Sequence, residues 1–113
     1  MKTACALVEI GGSHDECILA QLMALKTVDA EITLVCTPAI RTRNPFFEPY
    51  VDHWKELSFN GKGWSDFKLM WKLNRFFKEK HITHVILNTA QGAHIRNLCL
   101  TASRKVTFIG IVH

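Results

Sequence analysis

Three apolar runs in this chain end in polar or glycine residues: Gly11-Gly12-Ser13-His14 after the first, Asn88-Thr89 with Gln91 and His94 after another, and His113 after the last. Each group has chemistry to offer. Paired glycines ahead of a helix start leave backbone N–H groups open to an anion such as a phosphate or carboxylate. The same pair also suits a tight strand-to-helix turn that needs glycine only for its dihedral angles, and both readings stay open. His14, His94 and His113 offer hydrogen bonding or proton transfer near neutral pH. A metal reading lacks support, since no H-x-x-x-H or H-E-x-x-H spacing occurs. His53, His81 and His84 fall at loop or strand-entry positions and are expected on the surface.

Other motifs close off alternatives. Gly11-Gly12 lacks the third glycine of the dinucleotide fingerprint, and the next apolar run ends in Thr37 where a ribose-binding carboxylate would be wanted. Gly61-Lys62-Gly63-Trp64-Ser65 is too short for a phosphate-binding P-loop and reads as a turn. No cofactor is called for. Cys5, Cys17, Cys36 and Cys99 form no C-x-x-C pair, and each sits within an apolar run. Buried free thiols are expected, which suits a reducing, cytoplasmic setting.

The elements that must position these groups follow from hydrophobic periodicity. Residues 4–10 are apolar without alternation, as in a strand covered on both faces. Ser13 and Glu16 form a capping box that opens a helix to about Val28. Its buried stripe is Ile18, Leu22 and Leu25, with Leu19 and Met23 beside them. Glu31 to Thr37 is a second strand, stopped by Pro38, and residues 38–52 read as a loop. Trp54 to Phe59 reads as a short edge strand, Trp64 to Lys80 as an amphipathic helix, and His84 to Asn88 as a strand. A helix begun near Thr89 runs to 103, and Val106 to Val112 forms the last strand.

In the helix at 64–80, Lys68, Lys72, Arg75 and Glu79 share one face at about 100° per residue. Leu69, Met70, Leu73, Phe76 and Phe77 fill the other, and Trp64, Phe67 and Trp71 border the basic stripe. Such a helix can lie peripherally on an anionic membrane, as at the inner membrane surface; a core helix with a solvated face shows the same pattern.

Strands alternating with helices give an α/β fold, a Rossmann-like three-layer α/β/α sandwich around a mainly parallel sheet. The expected strand order is 3-2-1-4-5. Ligands in such sheets bind beyond the carboxyl ends of the strands, where the order reverses. That rule brings Gly11, Gly12, Ser13, His14, Asn88, Thr89, Gln91, His94 and His113 to one crevice.

At 113 residues the chain is expected to form one domain. Its 48% hydrophobic content is ordinary for a globular protein, and no apolar run approaches the ~18 residues of a membrane-spanning helix. The first residues read as a strand, not a signal peptide. A net charge of +4 suits an anionic substrate or surface and is too small to argue for nucleic acid.

Taken in order, these features resemble the N-terminal domain of a GT-B type, family-4-like glycosyltransferase. The resemblance covers nearly the whole chain. It rests on Leu7-Val8-Glu9-Ile10-Gly11-Gly12, on Leu22 and Leu25, and on Glu31-Ile32-Thr33-Leu34-Val35-Cys36-Thr37-Pro38. Ile82-Thr83-His84-Val85-Ile86-Leu87-Asn88 and Phe108-Ile109-Gly110-Ile111-Val112-His113 continue it. The chain departs from the family in having Asp29-Ala30 where Gly-His often precedes the second strand. It also holds no C-terminal domain, the part of the family that mainly binds the donor nucleotide.

The resemblance implies that residues 1–113 are the acceptor-side half of a two-domain enzyme. Such an enzyme transfers a sugar from a nucleotide-activated donor to a glycan or lipid-linked acceptor, as in polysaccharide biosynthesis. His113 would be catalytic in the interdomain cleft, and this chain alone would be inactive. The alternative is a stand-alone, non-catalytic flavodoxin-like binding or regulatory domain. A phosphorylated receiver is disfavoured, because the first strand lacks paired acids and the last lacks a lysine.

Overall fold

The computed structural model describes residues 3–10, 15–58, 63–89, 98–102 and 105–110. The strands are β1 (Ala4–Glu9), β2 (Glu31–Cys36), β3 (His53–Glu56), β4 (His84–Thr89) and β5 (Thr107–Gly110). The helices are α1 (Asp15–Thr27), α2 (Pro38–Arg43) and α3 (Gly63–Glu79), with a 3₁₀ segment at Pro45–Tyr50. All four strand pairings are parallel, and the order is β3-β2-β1-β4-β5, as expected.

The molecule is a three-layer α/β/α sandwich of the Rossmann-like kind, because the two faces of the sheet bury against different helices. Ala6, Val8, Val35, Val85 and Leu87 face α3, where Met70, Leu73 and Phe77 meet them. Cys5, Leu7, Ile32, Leu34 and Cys36 face the other way, against Ile18 and Leu22 of α1, Ile40 of α2 and Phe47. Burial on both faces explains why β1 and β2 read as unbroken apolar runs. Leu98, in a helical turn at 98–100, joins the α3 side.

Two helices end alike. After α1, Ala30 N–H bonds Leu25 O at 3.2 Å and Asp29 N–H bonds Lys26 O at 3.2 Å. After α3, Ile82 N–H bonds Phe77 O at 2.9 Å and His81 N–H bonds Lys78 O at 3.2 Å. Asp29 and His81 each have φ of 56°, the left-handed position of a Schellman motif that glycine usually fills. The next strand is then pinned to β1: Glu31 N–H bonds Thr3 O at 2.9 Å and Thr83 N–H bonds Ala4 O at 3.2 Å.

Several expectations are corrected. Residues 38–52 are mostly helical: Pro38 sits at the first helical position of α2, where its missing N–H costs nothing, and Pro45 starts the 3₁₀ segment likewise. The edge strand starts at His53 and ends at Glu56. Thr89 closes β4; the start of the helix expected near it lies outside the described residues, and its last turn ends at Leu100 and not at 103. Met23 is 48% exposed, because the buried stripe of α1 is narrowed to Ile18 and Leu22 with Leu19 and Leu25 at its margins. Cys5 and Cys36 are buried, but Cys17 is only half-buried and Cys99 is exposed. Asn74, inside the apolar face of α3, is buried because its amide donates to Leu98 O and Thr101 Oγ1, both at 2.7 Å.

Candidate functional site

The strand order reverses beside β1, so the carboxyl ends of β1 and β4 are neighbours. Glu9, the last residue of β1, is fully buried there. Val8 pairs with Leu87 but Glu9 pairs with Thr89, so the register slips past Asn88. An irregularity of this kind re-aims a side chain at a strand end. Asn88, 4% exposed, donates its side-chain amide to Glu9 Oε2. Gln21, from α1, donates in turn to Asn88 Oδ1 at 2.8 Å. Gln21 Oε1 is buried and has no hydrogen-bond partner among the described residues.

A second polar group stands beside this one. Asp15, in the first turn of α1, accepts from Arg43 Nε at 2.6 Å and Arg43 Nη2 at 2.8 Å. Asn44 Nδ2 donates to the same carboxylate at 2.8 Å and to Ile40 O at 2.9 Å. The hydrogen bond from Arg43 holds the Asp15 carboxyl below its usual range, against a smaller opposing effect of burial. Asp15 raises Arg43 in return, and the charge of Glu9 adds to that effect. Cys36, paired with Glu9 across β1 and β2, has its thiol pushed up to about 12, chiefly by burial. It is no nucleophile at neutral pH.

Of the site residues expected from the sequence, Asn88 is placed with its side chain in this network, and Thr89 is placed as the last residue of β4. Gly11, Gly12, Ser13, His14, Gln91, His94 and His113 lie outside the described residues. Sequence reasoning missed Glu9 and Gln21. The signal for Glu9 was an acid closing an apolar run; that for Gln21 was a polar residue three positions after Ile18, within the stripe of α1.

Chemically, Glu9 is too enclosed to touch a ligand in this arrangement. It orients the Asn88 amide, and Gln21 fixes which edge of that amide faces where. A cavity of about 290 Å³ at the amino ends of the strands, lined in part by Glu31, Thr33, His53 and Lys80, is a weaker candidate. His53 Nε2 and Glu31 Oε1 already satisfy each other there at 2.9 Å.

No protein-family profile matches the chain, and no curated protein matches it. Solved structures do. A glycosyltransferase from Rickettsia africae ESF-5 superposes with a TM-score of 0.65 at 12% identity, over 96% of this chain and 29% of that one. MurG from Acinetobacter baumannii superposes with a TM-score of 0.68 at 14% identity, over 97% and 34%. The likeness is one of fold. The chain thus shares a GT-B-like, Rossmann-type fold with these two chains, and it spans about a third of their length. AnUbiX (PadA1), solved with FMN and dimethylallyl pyrophosphate, matches with a TM-score of 0.53 at 9% identity, over 97% of this chain and 77% of that one.

Proposed function

We propose that residues 1–113 are the acceptor-side half of a two-domain glycosyltransferase that moves a sugar from a nucleotide-activated donor to a glycan or lipid-linked acceptor. The observation that carries this reading is the buried Glu9–Asn88–Gln21 network at the strand-order reversal, within a fold shared with the Rickettsia africae glycosyltransferase and with MurG. In such sheets that crevice is where ligands bind. The network holds the end of β4 against the end of β1. Gly11 and Gly12 would then border the crevice with Asn88 and Thr89, ready for a phosphate or carboxylate, and His113 would stand at the end of the neighbouring β5 as a proton-transfer group. A second domain would supply most of the donor contacts. The reading also implies a cytoplasmic enzyme.

The test is the natural reading frame beyond His113. Continuation into a second Rossmann-like half, with turnover of a nucleotide sugar by the complete product, is the expected result. His113→Ala in that product should lower the rate by about 10²-fold or more. The 113-residue chain alone should turn over none. A stop codon directly after His113, or an unimpaired His113→Ala enzyme, would remove the transferase reading or the histidine from it.

The likeness to the FMN-bound AnUbiX supports a second reading, a stand-alone flavodoxin-like binding domain. Its mark would be saturable quenching of FMN fluorescence by the 113-residue chain.

A further inference from the structure

Helix α3 shows an aromatic and basic stripe that the core does not use. Trp64, Lys68, Trp71, Arg75 and Lys78 follow at alternating steps of four and three, which keeps them within about 40° of one line along the helix. Trp64 is 68% exposed and Trp71 45% exposed, while the three basic residues are exposed beside them. Each tryptophan carries a cation over its ring: Lys68 Nζ lies 5.4 Å from the Trp64 centroid, and the Arg75 guanidinium 5.1 Å from that of Trp71. Lys72 flanks the stripe. On this face the counter-charge is Glu79, 4.0 Å from Arg75.

Large exposed indoles are costly in water and are enriched where one end of the ring is apolar and the other wet. The basic residues between them select an anionic partner. A nucleic-acid duplex, its bases already stacked inside, would reward the charges and leave the tryptophans little to do, whereas the interface of a charged bilayer rewards both. We propose that this face of α3 is a docking surface for a membrane rich in anionic lipid, with the helix lying in the plane of the headgroups. The inference rests on α3 alone and holds with or without sugar transfer.

The geometry adds an orientation. The C-terminal part of α3 meets the amino ends of the strands, since Phe76 and Lys80 share a cavity with Ala4, Glu31 and His53. Trp64 therefore lies toward the carboxyl ends, the end that carries Glu9 and Asn88.

Sedimentation of the 113-residue chain with phosphatidylglycerol vesicles and with phosphatidylcholine vesicles tests the proposal. The expected result is binding to the former only, weakening as salt is raised. The double variants Trp64→Ala/Trp71→Ala and Lys68→Glu/Lys72→Glu should each bind about tenfold more weakly or worse, with unchanged far-ultraviolet circular dichroism because the side chains are exposed. Equal affinity for both vesicle types, no binding to either, or binding that survives both variants would overturn it. Retention of duplex DNA as tightly as of phosphatidylglycerol would overturn it too, and would assign the stripe to another polyanion.

Discussion

Asn88, at the end of β4, donates its side-chain amide to the buried carboxyl of Glu9, at the end of β1, across 79 residues of sequence. The contact falls where the β1–β4 register slips. Hydrogen bonds to charged groups contribute about 1.5–3 kcal/mol when buried, and their loss leaves the acceptor poorly solvated. Asn88→Ala should therefore destabilise the fold by about 1.5–3 kcal/mol, read from urea unfolding at neutral pH. A loss within about 0.5 kcal/mol, the range of ordinary surface substitutions, would show that the network is incidental.

The Asp15–Arg43 pair gives the fold an acid-sensitive component. The folded-state pKa of Asp15 lies below its unfolded value of about 3.9. Its stabilisation is therefore present above about pH 4 and is lost as pH falls through the lowered folded value. Arg43→Ala should lower Tm at neutral pH, and the gap to the parent should close in the acid range below Asp15's folded pKa. A gap of the same size at both extremes would assign the effect to packing of Arg43 and not to its charge.

His81 occupies a left-handed position with φ of 56° at the end of α3. Glycine accepts that conformation without the clash between Cβ and the following carbonyl. His81→Gly should stabilise the chain by about 0.5–1 kcal/mol by thermal or urea unfolding, the relief of strain outweighing the added freedom of the unfolded state. Any net destabilisation would mean that the imidazole makes a compensating contact.

Thiol reactivity should divide by burial. Cys36 is pushed up to about 12 and Cys5 is raised, both chiefly by burial, whereas Cys99 is exposed. A disulfide reagent at neutral pH should label Cys99 quickly and reach Cys5 and Cys36 only after unfolding. Cys99→Ser should abolish the fastest phase, leaving the half-buried Cys17 to react more slowly. Rapid labelling of Cys36 in the native chain would contradict the packing of β2 against α1.

The architecture was legible in the sequence because its signals are local. Unbroken apolar runs marked β1 and β2, the period of α3 marked its buried face, and alternation of strand and helix with right-handed crossovers gave the order 3-2-1-4-5. Residues 38–52 were misread for a local reason too: prolines tolerated at a first helical turn look the same in sequence as prolines that forbid a helix.

The sequence by itself determined which segments pair and put Asn88 at the carboxyl end of its strand. Only the tertiary structure decided that Glu9 is enclosed, that Gln21 and Asn88 hold one another, and that Asn74 is tied to Leu98 and Thr101. It also decided that Trp64 and Trp71 stand outside the core. Whether a polar or aromatic side chain is buried depends on a partner that is distant in sequence and close in space. Periodicity reports the face on which a residue lies; the presence of a neighbour there to satisfy or cover it is set by how the layers pack.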